Sequence, residues 1–514
     1  MNGEGIPWAI LLPVTGGAGV LVFQHFGWNS RLIRIWVVTT LAMSLTAFTL
    51  LSEPATGIAW TQSLVTILCV TGLIVTLSST GPVSVSNRSA PIDPHLTKSS
   101  PDGSAHALML FSLATFTVVC HAESLATLLA AHAAFLFVSS GGVPSVPVCG
   151  HNVRQSLVTG VDSYLLPLSL VFPVAGAGLL IALGGSDDLH SIQQTLRDNY
   201  QPVRQELTVG TASILGTVSF ILILAGIAIP FAIFPFHSGR VESFADQPAW
   251  LASGNAIASR AHAFVVLWRI SVTAMPGFGP QVQTPMLVLA AASAAAGACL
   301  ACRSRSLREL AGNCWLVNGG LLLHCIATGA GQVSMVRDDP GWQLPNALET
   351  GLYLFICSSA ALLTVMLIES SFELPDRRLE FDEDLSGLGR QRPLTGGILA
   401  SGLLAFCGLP PLASFWGIVY LHAGAFVPQY EASDSAILVP NAAVLLTAGG
   451  LVIALLILTA RIVRLLSLIF FEEPLRRHRE AAGLPLIMAG GLAAALVFTG
   501  LLPARLMRAI HDSL

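Results

Sequence analysis

Ionisable side chains stand inside apolar segments of this chain that are long enough to cross a lipid bilayer. Arg260 and His262 share one such segment, and His132 lies in another, within the run "AAHAA". His237 follows the apolar run "IPFAIFPF", and Glu123 opens the segment that contains His132. Charge at bilayer depth is costly, so residues of this kind normally mark a path for protons or ions. Histidine suits that role because its charge changes near neutral pH, whereas arginine stays protonated and supplies a fixed charge.

Each of these residues also has a structural interpretation. Arg260 could hold helices together if a carboxylate or backbone carbonyl groups neutralise its charge. His132 could be a hydrogen-bonded core histidine, and His237 could be satisfied within a turn. Arg260 and His262 are two positions apart, so on a helix their side chains point about 200° apart. This spacing favours a packing or lipid-edge position for His262.

The segments that hold these residues are predicted membrane helices. Of the 514 residues, 53% are hydrophobic and 11% are charged, against about 25% charged in soluble domains. Apolar runs that could cross a hydrocarbon core of about 30 Å recur along the whole chain. We predict fourteen spans: 6–26, 32–52, 60–78, 105–121, 123–141, 163–183, 211–236, 249–275, 284–302, 311–331, 348–370, 394–421, 437–470 and 484–504. The first run lacks a basic region and a cleavage site, so we expect a retained helix and not a signal peptide.

The basic residues support this helix count and predict an orientation. Of the 25 Lys and Arg residues, the only lysine is Lys98, in the Ser/Pro-rich loop 79–104, which we expect to be mobile. With the N-terminus outside, 17 basic residues fall in inside loops and 5 in outside loops or the C-terminal tail. Cytoplasmic loops carry an excess of Lys and Arg. We therefore predict an integral membrane protein with both termini on the non-cytoplasmic side.

The nine cysteines do not predict a metal site. Cys299 and Cys302 form one CxxC at the end of a predicted span, with no second pair. Zinc sites normally combine two such pairs or add histidines. We interpret the cysteines as small buried residues, and we predict neither a metal site nor a catalytic residue on this chain.

Two of the spans contain prolines that would interrupt a helix within the membrane. Span seven contains Pro230 and Pro235, and span twelve contains Pro410 and Pro411 in "CGLPPLASFWG". Proline removes a backbone donor and clashes with the preceding turn. Pro235 and Pro410 lie 175 residues apart, at the same place in two successive sets of five spans. This predicts two inverted five-helix repeats, spans four to eight and nine to thirteen, each with a broken helix. The alternative is that the membrane helices merely tolerate proline.

The predicted fold is an all-α polytopic membrane protein, which the two repeats divide into four parts. These are an N-terminal three-helix segment with the mobile loop, the two antiporter-like repeats, and a C-terminal helix: 1–104, 105–275, 284–470 and 471–514.

The segment Asp382 to Leu421 closely resembles the antiporter-like membrane subunits of respiratory complex I, and most of all the N subunit. These subunits are related to Mrp-type cation/proton antiporter subunits. Further matches are "PFH" at 235–237, "RELAG" at 308–312 and "RIVRLLSLIFFEEP" at 461–474. The resemblance implies a proton-translocating subunit with no cofactor of its own, while quinone, NADH, FMN and iron–sulfur clusters belong to partner subunits. It also implies a bacterial inner membrane, with other membrane-arm subunits and lipid as partners and no nucleic acid.

The resemblance fails at the positions that carry protons in that family. There, a buried glutamate in span five, lysines in spans seven and eight, and a lysine or glutamate in span twelve pass protons along a polar axis. The matching positions here hold His132, Pro230, Arg260 and Ile418. The resemblance therefore implies a degenerate proton path.

Three functions remain open from the sequence. The first is a membrane-arm subunit of a complex I-like NADH:quinone oxidoreductase that supports proton translocation coupled to electron transport. The second is a subunit of a cation/proton antiporter or of an ion-coupled uptake system. The third is a non-conducting structural subunit of the same fold. A conducting transporter should retain a buried acid–base axis, so the losses at Pro230 and Ile418 argue against the second function.

Overall fold

The computed structural model is built of α-helices that coincide with every predicted span. It describes residues 6–25, 30–51, 59–78, 101–141, 154–200, 211–237, 249–275, 279–331, 346–372, 381–426, 441–475 and 483–512. These ranges hold eighteen α-helices and no β-sheet. Most of the loop predicted to be mobile, residues 79–100, lies outside the described residues. The boundaries of the four predicted parts stay predictions.

The helices follow one another along the chain in this order. They are α1 (Ile6–His25), α2 (Ser30–Leu51), α3 (Ala59–Ser78), α4 (Pro101–His121), α5 (Leu125–Gly141), α6 (Arg154–Gly184), α7 (Leu189–Tyr200), α8 (Thr211–Phe231), α9 (Ala249–Trp268), α10 (Gly279–Arg303), α11 (Leu307–Gly331), α12 (Ala347–Ser370), α13 (Leu388–Gln391), α14 (Pro393–Cys407), α15 (Ala413–Ala425), α16 (Ala442–Phe471), α17 (Leu484–Leu501) and α18 (Pro503–Asp512). A π-helical turn, Arg269–Ala274, extends α9.

Seven helices within the described ranges are long and apolar enough to cross a membrane, namely α6, α8, α10, α11, α12, α16 and α17. Shorter apolar stretches lie within α1, α2, α4, α5 and α14. The helix α11 is buried along its length, whereas only 22% of α17 is buried. Apolar residues on the outer helices and polar residues within the helix bundle are what a bilayer requires. The predicted all-α membrane fold is confirmed.

The central helix α11 packs between α10 and α12, and α9 contacts α4, α8 and α12. Glycine allows α10 and α11 to approach closely. A Cβ atom at Gly320 would lie 2.6 Å from the Ala290 carbonyl oxygen, and one at Gly297 would lie 2.9 Å from the Asn313 carbonyl oxygen. Small residues at such contacts are typical of helix pairs in membranes. The result is a tightly packed centre in which a buried side chain has a fixed environment.

The two predicted helix interruptions share one backbone pattern. The helix α8 ends at Phe231, and the next residue, Ala232, is left-handed with φ 59°. The helix α14 ends at Cys407, and Gly408 follows with φ 64°. A proline stands three residues further on in each case, so Pro411 is the structural match of Pro235. The Phe234–Pro235 and Pro410–Pro411 peptide bonds are both cis.

Replacing Ala232 by valine is expected to destabilise the protein by about 2 kcal/mol or more, because a β-branched residue rarely adopts positive φ. Ala232→Gly should be neutral or stabilising by about 0.5–1 kcal/mol, since glycine adopts this conformation without strain. Thermal unfolding of the purified chain measures both effects. The control is Ala494→Val at an exposed position of α17; an equal loss of stability in Ala232→Val and in the control would contradict the argument.

Two further contacts recur at matching places in the two repeats. Arg269 donates to the Val119 and Cys120 carbonyl oxygens at the end of α4, at 3.1 and 2.8 Å. Arg461 donates to the Ala301 and Ser304 carbonyl oxygens at the end of α10, at 3.2 and 2.9 Å. In each repeat, then, an arginine of the fifth span neutralises the free carbonyls at the C-terminus of the first span.

The connection that precedes each interrupted helix is also held in the same way. The Leu189 N–H donates to the Glu123 carbonyl oxygen at the α4–α5 turn, and the Phe381 N–H donates to the Arg305 carbonyl oxygen at the α10–α11 turn.

Outside the spans, the Asp188 carboxylate accepts the Ser191 N–H and caps the start of α7. This hydrogen bond lowers the pKa of Asp188 below its ordinary value, so the cap is complete above that pKa and is lost as the pH falls through it.

Candidate functional site

Arg260 lies on α9 and is fully buried. Its Nη1 atom donates to the Trp315 carbonyl oxygen on α11 at 2.6 Å, and its Nε atom donates to the Phe231 carbonyl oxygen at 3.3 Å. Phe231 is the last residue of α8, where backbone carbonyls have no helical partner and the helix dipole is negative. The guanidinium group also lies 3.9 Å from the centre of the Trp315 ring, which adds a cation–π interaction. Arg260 thus joins α9 to the first interruption and to α11.

Backbone groups, and not a carboxylate, hold this charge in the described part of the chain. The Nη2 atom of Arg260 is buried and has no hydrogen-bond partner there. A Cβ atom on Gly319 would lie 2.9 Å from that nitrogen, so the absence of a side chain at Gly319 makes room for the guanidinium group. Since arginine does not release its proton at biological pH, Arg260 supplies a fixed charge.

His132 and His262 form a buried pair on the opposite side of α9. Their Nδ1 and Nε2 atoms, respectively, lie 3.0 Å apart, and the rings stack with centroids 5.0 Å apart. The Phe135 ring covers His262 at 4.2 Å. The predicted angular separation of Arg260 and His262 agrees with these contacts. The lipid-edge alternative for His262 is wrong, because its side chain is fully buried on the face of α9 that packs against α5.

The geometry of the histidine pair allows one hydrogen to be shared between the two rings. The second nitrogen of His262, Nδ1, is buried without a hydrogen-bond partner in the described residues. At the other end of the pair, the backbone of Ser169 on α6 lies close to His132. Two neutral imidazoles in contact can accept a proton at one end and release one at the other, which is the chemistry of a proton relay.

The other predicted site residues lie around this centre or apart from it. His237 is half-buried after the first interruption, with its ring 5.8 Å from that of Phe234. Glu123 lies at the α4–α5 turn with an exposed side chain, outside the buried group. Pro230 is buried in the last turn of α8, and Ile418 packs on Gly408 at the second interruption. The structure therefore places Arg260 on one side of α9 and the pair of His262 with His132 of α5 on the other, and it leaves Glu123 out.

Sequence reasoning missed several residues that define the site. Phe231 and Trp315 act through their carbonyl oxygens, which every residue type carries, and Gly319 acts through its lack of a side chain. No sequence signal identifies such roles. The buried interpretation of Cys299 and Cys302 is wrong, because both are exposed on α10.

The fold and the site together define a polytopic α-helical membrane protein with two interrupted helices, an arginine buried against the first interruption and a buried histidine pair. Residues 130–428 match the family described as NADH:quinone oxidoreductase/Mrp antiporter, TM. This match covers more than half of the chain. The chain belongs to this family.

Curated relatives in bacteria carry the name NADH-quinone oxidoreductase subunit N. The protein of Rubrobacter xylanophilus is 24% identical over 297 residues, which are 57% of this chain and 56% of the relative. Subunit N 1 of Acidiphilium cryptum is 25% identical over 398 residues, 76% of this chain and 73% of the relative. Among the first of the relatives, the chain spans about half of their length or less.

Solved structures of two kinds of assembly share the fold. A chain of respiratory complex I from Thermus thermophilus, with bound aureothin, superposes with a TM-score of 0.71 at 17% identity, over 98% of this chain and 99% of that chain. A chain of the Mrp complex from a Dietzia species gives a TM-score of 0.73 at 16% identity, over 100% of this chain and 97% of that chain. At these identities the likeness shows the fold alone.

Proposed function

We propose that this chain is an N-type membrane-arm subunit of an NADH:quinone oxidoreductase complex and supports proton translocation coupled to electron transport. The observation that carries the proposal is the buried His132–His262 pair, which shares α9 with the fixed charge of Arg260, in a chain of this family. Redox chemistry belongs to other subunits in this proposal. The setting is a bacterial cytoplasmic membrane with both termini on the non-cytoplasmic side, as the distribution of basic residues supports.

Within the site, each group has a distinct role. Arg260 keeps its proton, holds the end of α8 against α11, and places a positive charge at the interruption. The histidine pair is the titratable part: a proton arriving at one ring displaces the shared proton to the other ring, and the far nitrogen then releases it. The pair thus takes the place of the glutamate that the family resemblance implies at His132.

Two other functions each have support. The likeness to the Mrp complex, with a TM-score of 0.73, favours a cation/proton antiporter assembly as the second candidate. A non-conducting structural subunit is the third, supported by Pro230 and Ile418 at positions where the resemblance implies ionisable groups. Replacement of the histidine pair separates the two conducting candidates from the structural one, and coupling to NADH oxidation separates the first candidate from the second.

The test is to replace His132 or His262 by glutamine in the intact complex, reconstituted into vesicles. We expect at least a tenfold slower proton uptake during NADH oxidation, since a positioned acid–base group contributes roughly 10²–10⁴. The matched control is His190→Gln, an exposed histidine on α7, which should leave uptake unchanged. Unchanged uptake in both variants of well-assembled complexes would contradict conduction through the pair. Sodium-driven proton exchange by an assembly without NADH oxidation would favour the antiporter candidate.

A further inference from the structure

The second interruption has a histidine whose two ring nitrogens both face backbone carbonyl oxygens. His422 lies on α15, the half-helix that follows the interruption. Its Nδ1 atom is 2.7 Å from the Ile418 carbonyl oxygen on the same helix, and its Nε2 atom is 3.2 Å from the Ala448 carbonyl oxygen on α16. Ile418 is the residue that stands where the family resemblance implies an ionisable side chain. His422 follows it by one helical turn and faces the same side of α15.

The number of protons on the ring decides how many of these contacts are favourable. A neutral imidazole has one N–H group and one lone pair, so it can donate to only one of the two carbonyl oxygens. The shorter distance assigns that bond to Ile418. The Nε2 lone pair would then face the Ala448 carbonyl oxygen, and two acceptors repel each other. An imidazolium has two N–H groups and donates to both oxygens.

The helices α11 and α12, which pack against α15, carry other titratable groups, among them the buried Glu349 carboxylate, which is bonded to His511. His324 on α11 is fully buried, has no hydrogen-bond partner at either ring nitrogen in the described residues, and interacts electrostatically with His422. Tyr353 on α12 is buried with its hydroxyl likewise unpaired, and its ring meets that of Tyr420 on α15 at 6.1 Å. A proton on His324 would repel one on His422.

The other helices that pack against α15 add no charge near His422. The helix α17 has no charged residue, and α14 has only the thiol of Cys407 as a titratable group. On α16, Arg461 and Arg464 stand at least thirteen residues beyond Ala448, which is about 20 Å along a helix. Among the described residues, the proton count of His422 therefore depends on its own two carbonyl contacts and on His324, which interacts with it electrostatically.

We propose that His422 is a protonation-controlled tie between α15 and α16. With a proton on Nε2 the ring joins the two helices, and without it the ring remains bonded only within α15. Loss or gain of one proton then releases or fixes the second half of the interrupted helix. This deepens the proposed function by adding a proton-dependent element in the second repeat, and it rests on that function only for its role in translocation.

The tie is tested in the intact complex in lipid nanodiscs, with histidine labelled by ¹⁵N in the ring. His422→Gln assigns the His422 signals by their disappearance. We expect two N–H nitrogens on His422 at the acid end of the titration and one, Nδ1, at the alkaline end. Hydrogen exchange of α15 amides, corrected for intrinsic pH dependence, should be about tenfold slower at the acid end, as expected for a charged hydrogen bond. Exposed His190→Gln should keep this response, and His422→Gln should lose it.

Several outcomes would overturn the proposal. A wild-type ring with the same number of protons at both ends of the titration would do so, and this measurement does not depend on the folding of any variant. An exchange response that is unchanged in His422→Gln would do so too. Proton uptake measured on the same complexes separates the two proposals. If His422→Gln loses the exchange response but keeps normal proton uptake, the tie exists and has no role in transport. Failure of the His132 and His262 test would leave the tie intact.

Discussion

Arg260→Ala is expected to lower the free energy of unfolding by about 3–5 kcal/mol and to reduce the amount of assembled protein in the membrane. The substitution removes the hydrogen bonds to the Phe231 and Trp315 carbonyl oxygens and the contact with the Trp315 ring. It leaves the carbonyl group at the end of α8 buried without a partner and opens a cavity among α8, α9 and α11. Thermal unfolding of the purified chain and quantification of assembled complex measure the two effects.

Two variants show whether the geometry of the guanidinium group matters. Arg260→Lys keeps a positive charge but loses the planar stack on Trp315 and the fork of donors, so we expect an intermediate loss of stability. Arg464→Ala, at an exposed position of α16, is the control and should stay within about 0.5 kcal/mol of the wild type. Normal assembly and stability of Arg260→Ala, together with abolished proton uptake, would show that Arg260 serves the proton path and not the packing of the helices.

Gly500→Ala is expected to destabilise the protein by about 3 kcal/mol or more, because overpacking against backbone has little room to relax. A Cβ atom at Gly500 would clash with the Pro411 carbonyl oxygen and would lie 2.5 Å from the Leu412 carbonyl carbon and 2.7 Å from the Ala413 nitrogen. These atoms form the second interruption, and Trp416 on α15 donates to the Gly500 carbonyl oxygen at 2.9 Å. The substitution would therefore push α17 away from the break and weaken that hydrogen bond.

The same helix provides a matched control. Gly491 also lies on α17, and a Cβ atom there would meet nothing within 4 Å. Gly491→Ala should be neutral or stabilising by up to about 1 kcal/mol, since alanine has the higher helix propensity. Differential scanning calorimetry of both variants in the same detergent compares their thermal stabilities directly. Equal stability of Gly500→Ala and Gly491→Ala would rule out the close packing of α17 on the second interruption.

The sequence by itself determined the helices, the membrane setting and the places of both interruptions. These features depend on properties that are local to a segment: the length of an apolar run and the backbone donor that proline lacks. The interruptions lie at the predicted places: α8 ends at Phe231, between Pro230 and Pro235, and α14 ends at Cys407, three residues before Pro410. The resemblance of Asp382 to Leu421 also predicted the correct family. The residues that carry this resemblance are consecutive in the sequence, so it can be recognised without the tertiary structure.

The tertiary structure alone decided what the ionisable residues do. The partners of Arg260 are backbone carbonyl oxygens on α8 and α11, which carry no residue-specific signal. His132 and His262 are 130 positions apart, and their contact depends on which faces of α5 and α9 meet. The sequence did not predict His422 as a site residue, because its proposed role depends on a backbone carbonyl group of α16. A pattern along one helix shows which face is polar, but the identity of the groups opposite that face is set by helix packing.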